Sequence, residues 1–138
     1  MTRRILVDAG PLIAVLDSGD QDHDRCATAL KRLPAPLLTT WMPLTEAMRL
    51  LAFSREAQDA LLEMIERGAL RVLPIDENDV VHIKALMRKY SDLPMDFADA
   101  SLVRVAIRER LTEIFTLDED FNVYRIGGRK RFAVVQLG

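Results

Sequence analysis

The 138 residues carry 19 basic and 21 acidic side chains for a net charge of −2, with 49% hydrophobic and 29% charged residues. That balance excludes a disordered tail, a fibrous repeat and a strongly basic, histone-like mode of nucleic-acid binding, while leaving room for a local basic patch. A chain of this length forms one compact domain, 1–138, burying about two-thirds of its unfolded surface, and a single cysteine, Cys26, excludes an internal disulfide.

The elements read in chain order as alternating strands and helices. Met1-Thr2-Arg3-Arg4 leads straight into an apolar run over 4–7 with no signal-peptide core, and no run approaches eighteen apolar residues. A cytoplasmic protein without a membrane span is expected. Asp8 ends this first strand, and Pro11 suits the first position of a helix reaching residue 16. After a polar turn over 18–24, apolar residues recur at helical spacing over 26–33 until Pro34 and Pro36 interrupt them. A second strand covers 37–40, two helices 43–53 and 55–67, the latter stopped by Gly68, and a third strand 70–75. Asp76 caps a helix over 76–89 and Asp96 one over 96–110; strands over 114–117 and 132–137 complete the chain.

Short apolar strands separated by helices imply an α/β fold with a parallel sheet covered on both faces, since parallel neighbours need crossover helices. In such sheets ligands bind beyond the carboxyl ends of the strands, where strand order reverses. Asp8 follows the first strand, and Asp118-Glu119-Asp120 follow the fourth.

Several acids sit where solvation is not guaranteed. On a helical wheel Asp96, Asp99, Ala100, Val103, Ala106 and Ile107 share an arc of about 120°, while Arg104, Arg108 and Glu109 point elsewhere. Glu46 is the only acid of a largely apolar helical segment. Each has a simpler explanation: Asp8 and Asp96 as helix caps, Asp99 as a first-turn acid favoured by the dipole, Glu46 paired with Arg49, and Asp118 and Asp120 in a polar turn. The set nevertheless shares a direction. Carboxylates about 6 Å apart repel by roughly 3 kcal/mol per pair at an effective dielectric near 20, so a cluster needs a cation. All-oxygen ligands suit Mg²⁺ or Mn²⁺, whereas His23, Cys26 and His82 form no zinc spacing.

Ile5-Leu6-Val7-Asp8, Leu44-Thr45-Glu46-Ala47, Asp96-Phe97-Ala98-Asp99-Ala100 and Phe115-Thr116-Leu117-Asp118-Glu119-Asp120-Phe121 resemble the ordered acidic motifs of PIN-domain nucleases, and among these the VapC-like toxins of bacterial toxin–antitoxin pairs. The resemblance covers essentially the whole chain. It implies a three-layer α/β/α sandwich around a five-stranded parallel sheet of order 3-2-1-4-5. It makes Asp8, Glu46, Asp99 and Asp118 the metal-site and catalytic acids, Asp96 and Asp120 accessory acids, and Thr116 a supporting hydroxyl. One departure is visible: many members carry Thr or Ser after the first aspartate, where this chain has Ala9-Gly10.

The activity so implied is Mg²⁺-dependent hydrolysis of RNA, with Mn²⁺ substituting. Arg104, Arg108 and Arg110, with Arg129, Lys130 and Arg131, are the basic groups expected to hold RNA at the mouth of the site, solubility being the alternative. The implied partners are a small antitoxin inserting a segment near the acids and a second copy of the chain, docked through the helices between Glu46 and Gly68. Two rivals stand beside this reading. One is a degenerate, binding-only module; the other is an aspartate-dependent phosphatase, which would want a second Asp where Gly10 stands. Asp20-Gln21-Asp22-His23-Asp24 begins like a calcium loop, but Arg25 and Lys31 occupy the positions that need Gly and Glu, which makes it an exposed turn. Cys26 reads as packing, and Trp41 with Met42, Met48, Met64, Met87 and Met95 as core or interface.

Overall fold

The computed structural model describes residues 3–137; the expectation placed on Met1 and Thr2 lies outside the described residues. Five strands, β1 (Ile5–Val7), β2 (Leu37–Thr39), β3 (Leu70–Val72), β4 (Glu113–Phe115) and β5 (Ala133–Val134), form an all-parallel sheet in the order β3-β2-β1-β4-β5. The crossovers are α1 (Ala9–Leu16) and α2 (His23–Lys31), then α3 (Trp41–Leu50) and α4 (Arg55–Glu66), then α5 (Val80–Lys89) and α6 (Phe97–Glu109). The order expected from the resemblance is the one observed. It makes β1 central, with β2 on one side and β4 on the other, so strand order reverses at the carboxyl end of β1.

Side-chain alternation divides the core into two layers. Leu6, Leu38 and Ile114 point to one face and pack with Ile83 of α5 and with Ala100, Val103 and Ala106 of α6. Ile5, Val7, Leu37 and Phe115 point to the other and meet Leu12, Ala29, Ala47 and Leu61 from α1 to α4. Cys26 is buried in this second layer, as packing. Among the described methionines only Met95 is buried, and Trp41 stands 56% exposed, on the surface and not in the core.

Several boundaries differ from expectation for local reasons. Strand β3 stops at Val72: Leu73 still donates its N–H to Thr39 O, but Pro74 has none to give. Strand β5 is an edge strand paired on one side only, and is correspondingly short. Helix α1 starts at Ala9, leaving Pro11 third, still within the turn whose N–H groups lack helical partners. Residues 76–89 are not one helix. Asp76 and Asp79 form a reciprocal capping box around a 3₁₀ turn, Glu77–Asp79, and α5 follows. Gly68 ends α4 in the left-handed region, φ 81°, as its cap position requires.

The wheel drawn for α6 is too narrow. The helix also buries Ser101, Leu102 and Val105, because the sheet lies beneath it and α3 and α5 flank it, while Ile107 is left exposed. On its α5 side Arg104 Nε donates to Asp79 Oδ1 (2.8 Å) and Arg108 Nη1 to Asp79 Oδ2 (3.0 Å). Asp79 is 3% exposed. Burial alone would raise its carboxyl, but the Asp76 N–H and the two guanidinium groups outweigh it and hold it down at about 2.

A depressed folded value means the clamp stabilises the protein above the unfolded value of 3.8 and is lost as pH falls through about 2. Asp79→Asn is therefore expected to cost about 2–3 kcal/mol at pH 7, since two arginines lose their partner. In urea unfolding the gap between wild type and variant should close between about pH 4 and pH 2; a gap independent of pH would show that the ion pairs contribute nothing.

Candidate metal centre

The centre is assembled at the carboxyl ends of β1 and β4, where the backbone turns into α1 and into a 3₁₀ turn, Glu119–Asn122. Asp8 caps α1. Its Oδ1 accepts the Ala9 N–H (2.8 Å), and its Oδ2 accepts the Thr116 hydroxyl (3.0 Å). The Thr116 oxygen in turn accepts the Asp118 N–H (3.0 Å), so one buried hydroxyl ties the ends of the two strands together. Asp118 caps the 3₁₀ turn by accepting the Asp120 N–H on Oδ1 (2.9 Å). Asp99 enters from the first turn of α6, and its Oδ2 accepts the Tyr124 hydroxyl (2.8 Å).

These contacts bring one carboxylate oxygen from each of Asp8, Asp99 and Asp118 within 4.8 Å of one another. Fully ionised, each pair at that separation would repel by roughly 3.5 kcal/mol at an effective dielectric near 20. The carboxyls register the strain. Burial pushes Asp8 up to about 6, against the Ala9 N–H and Thr116 hydroxyl, with Glu46 and Asp118 adding to the rise. Burial likewise raises Asp99, the Tyr124 hydrogen bond opposing it and the charges of Asp8, Asp96 and Asp118 reinforcing it.

Glu46 from α3 and Asp96 line the same cleft, of about 290 Å³, together with Gly10, Ile13, Leu50 and Leu117. Burial raises the Glu46 carboxyl, as does the charge of Asp96, while Arg49 opposes the shift. Among the described residues Glu46 makes no ion pair with Arg49, so the pairing that would have explained it is absent. Asp96 is both a cap, accepting the Asp99 N–H on Oδ1 (2.8 Å), and a wall of the cleft.

The donor set fits a hard divalent cation. Every available ligand is a carboxylate oxygen, and oxygens on opposite sides of a cation with ligand distances of about 2.0–2.6 Å stand about 4–5 Å apart. Asp99 Oδ1 and Asp118 Oδ2 accept no hydrogen bond among the described residues, which leaves them for the cation. No nitrogen or sulfur ligand lines the cleft, and Cys26 is buried elsewhere, its thiol raised to about 11 mainly by burial. The residue after Asp8 is Ala9, which offers no hydroxyl and donates to Asp8 through its backbone N–H alone.

Other residues singled out in the sequence lie apart from this centre. Asp120 contributes its backbone N–H to Asp118, and its side chain does not line the cleft. Arg104 and Arg108 are consumed by Asp79, and Arg108 also donates to Glu109. They were expected at the mouth of the site; here both pair with Asp79 on the α5 side of α6, and neither lines the cleft. Arg110 closes α6 with a left-handed residue, φ 58°. Arg129, Lys130 and Arg131 are exposed on a turn through Gly127 and Gly128, both at positive φ, and line no part of the cleft.

The residue that sequence reasoning missed is Tyr124. Its ring is fully buried, edge-on to Tyr90 and Phe121 at 5.0 Å from each, and burial together with Asp99 raises its phenol so that it stays a donor. It dictates which oxygen of Asp99 faces the cleft. A Phe-x-x-Tyr spacing just after the fourth-strand acids was the available signal, but the target lies 25 residues upstream and only the tertiary fold reveals it. Tyr124→Phe should leave the fold intact and weaken Mn²⁺ binding by about tenfold or more, measured by electron paramagnetic resonance titration. Unchanged affinity would mean that Asp99 is oriented by packing alone.

Comparison with known proteins agrees with this geometry. The PIN domain family model matches residues 5–127. Ribonuclease VapC26 of Mycobacterium tuberculosis is 26% identical over 134 residues, covering 95% of this chain and 99% of that protein. Among solved structures, Mycobacterium tuberculosis VapC20, described as a sarcin-ricin loop cleaving toxin, superposes with a TM-score of 0.79 at 19% identity, over 92% of this chain and 98% of its own. FitAcB from Neisseria gonorrhoeae gives a TM-score of 0.59 at 22% identity, over 83% and 87% of the two chains. With its parallel sheet, strand order and ordered acids, the chain belongs to the PIN domain family, as a VapC-like nuclease.

Proposed function

We propose that this chain hydrolyses RNA phosphodiester bonds with Mg²⁺, or Mn²⁺ in its place, held by Asp8, Asp99, Asp118 and Glu46, and that it acts as the toxin of a toxin–antitoxin pair. The observation that carries the reading is the convergence of three carboxylate oxygens within 4.8 Å in a cleft with no cation of its own to neutralise them. The name of the similar Ribonuclease VapC26, with the description of VapC20 as a sarcin-ricin loop cleaving toxin, supports RNA as the substrate. The acid cluster weighs against a binding-only module, and Gly10, standing where an aspartate-dependent phosphatase would want a second Asp, weighs against that rival.

When bound, the cation polarises the phosphoryl group and activates water for attack. The protein's own part is positioning. Thr116 and the Ala9 N–H fix Asp8, the Tyr124 hydroxyl fixes Asp99, and the Asp120 N–H fixes Asp118, so the ligands need little reorganisation before reaction. Besides holding the cation, the acids of the cleft, with Asp96 beside them, supply proton acceptors. RNA is held partly by Arg129, Lys130 and Arg131 on their exposed turn. A homodimer is supported by the exposed Leu50 of α3, Phe53 of the turn after it and Leu62 of α4, and an antitoxin segment reaching the acids by the likeness to VapC toxins and FitAcB. The cytoplasm, where RNA is available, is the proposed site of action.

Asp8→Asn and Asp99→Asn are expected to fold and to lose cleavage of a mixed RNA substrate by about a hundredfold or more, and EDTA should abolish wild-type cleavage. In metal-free buffer Asp99→Asn should melt higher than wild type, since it removes repulsion, and only wild type should be strongly stabilised by Mn²⁺. Wild-type cleavage rates in either variant would overturn the assignment. Replacing Arg129, Lys130 and Arg131 together by Gln should flatten the dependence of log RNA affinity on log salt by about 0.7 per lost phosphate contact; an unchanged slope removes the turn from RNA binding.

A further inference from the structure

A second groove, of about 410 Å³, opens beside the acidic cleft. Met42, Thr45 and Arg49 of α3 form one wall and Phe97 and Ala98 of α6 the other, while Glu46 and Asp96 line both the groove and the cleft. Three observations define its occupant. First, Glu46 and Asp96 border both spaces, so the groove lies directly beside the place a phosphodiester would occupy at the centre. Second, Arg49 is the only basic side chain lining either space, and among the described residues it makes no ion pair within 4 Å. Third, Phe97 is 48% exposed, an aromatic surface left uncovered on a helix that buries every residue from Asp99 to Val103.

We infer that the groove is a nucleobase subsite, in which a base flanking the scissile phosphate stacks on Phe97 against Met42 while Arg49 contacts the adjoining phosphate. This rests on the ribonuclease reading and adds to it where the strand lies. An acidic cleft repels a polyanion, and a cation on its rim offsets that repulsion where the strand enters. Stacking on an exposed aromatic accepts any base, so this subsite adds affinity without sequence readout. The groove has the volume of a small-ligand site and falls short of the trough that a helix anchored over two turns would fill.

The test uses the cleavage-deficient Asp8→Asn protein without added metal and a fluorescein-labelled single-stranded RNA decamer carrying one abasic nucleotide, moved position by position. Phe97→Leu, which keeps an apolar side chain at an exposed site, should weaken binding of the intact decamer by about tenfold. One abasic position should weaken binding to the Phe97 protein by the same factor and have no further effect in Phe97→Leu. Arg49→Gln should lower the salt slope by about 0.7. Unchanged binding in Phe97→Leu, or a loss that no abasic position shares, overturns the subsite. So does conversion of a dimer to a monomer in Phe97→Leu, seen by light scattering, because the groove would then be a contact between copies. If wild type cuts RNA while the groove variants behave as wild type, only this inference fails; if wild type neither cuts nor binds RNA, the ribonuclease reading falls and the subsite with it.

Discussion

Repulsion among Asp8, Asp99 and Asp118 is the constraint around which the rest of the structure is organised. A cluster this tight, without a partner cation, opposes folding, and the protein answers with neutral donors rather than with arginine or lysine. Thr116, Tyr124 and the N–H groups of Ala9 and Asp120 each satisfy one carboxylate oxygen without neutralising it. A salt bridge would have been simpler for stability, but it would have filled the place the cation needs. The raised carboxyls of Asp8 and Asp99 are the residue of that choice.

The protein's handling of its arginines follows the same logic. Asp79 draws Arg104 and Arg108 to the α5 side of α6, away from the acids that the same helix presents at its start. One helix thus carries an acidic end and a neutralised middle. Where a buried acid is structural it is paired and its carboxyl is held low; where acids converge on the cleft they are unpaired and pushed up. Helix α6 carries a partner to the first kind and a member of the second, and the opposite shifts separate them more sharply than burial, which is similar for Asp79 and Asp99.

What could be read in the sequence follows from the range of the interactions involved. The apolar runs ending at Asp8 and before Asp118 locate β1 and β4 because a short parallel strand must be apolar on both faces, and the order of strands came with the family resemblance. Asp8 and Asp96 each cap a helix and also line the cleft. The two roles are compatible because a carboxylate oxygen that accepts one hydrogen bond keeps a second lone pair, and a wall of the cleft needs only the charge. The contacts that escaped are those joining distant segments. Nothing near Arg104 and Arg108 in the sequence announces Asp79, and nothing near Asp99 announces Tyr124. Ile107 sits on the expected apolar arc, yet it emerges at the surface where α6 runs past its neighbours.

The short strands bear on precision as well as on fold. β1 and β4 contribute only three residues each, so their ladder alone could not hold Asp8 and Asp118 to a fraction of an ångström. The Asp8 N–H extends the ladder by donating to Phe115 O, and the Thr116 hydroxyl then bridges the two strands one residue beyond it, on the side chains themselves. Side-chain and backbone registry are fixed by the same few atoms, and Tyr124, wedged between Tyr90 and Phe121, brings α6 into that frame through Asp99. The positions of Asp8 and Asp99 are therefore held by hydrogen bonds from a buried hydroxyl and a buried phenol, so the packing that fixes those two donors also orients the acids.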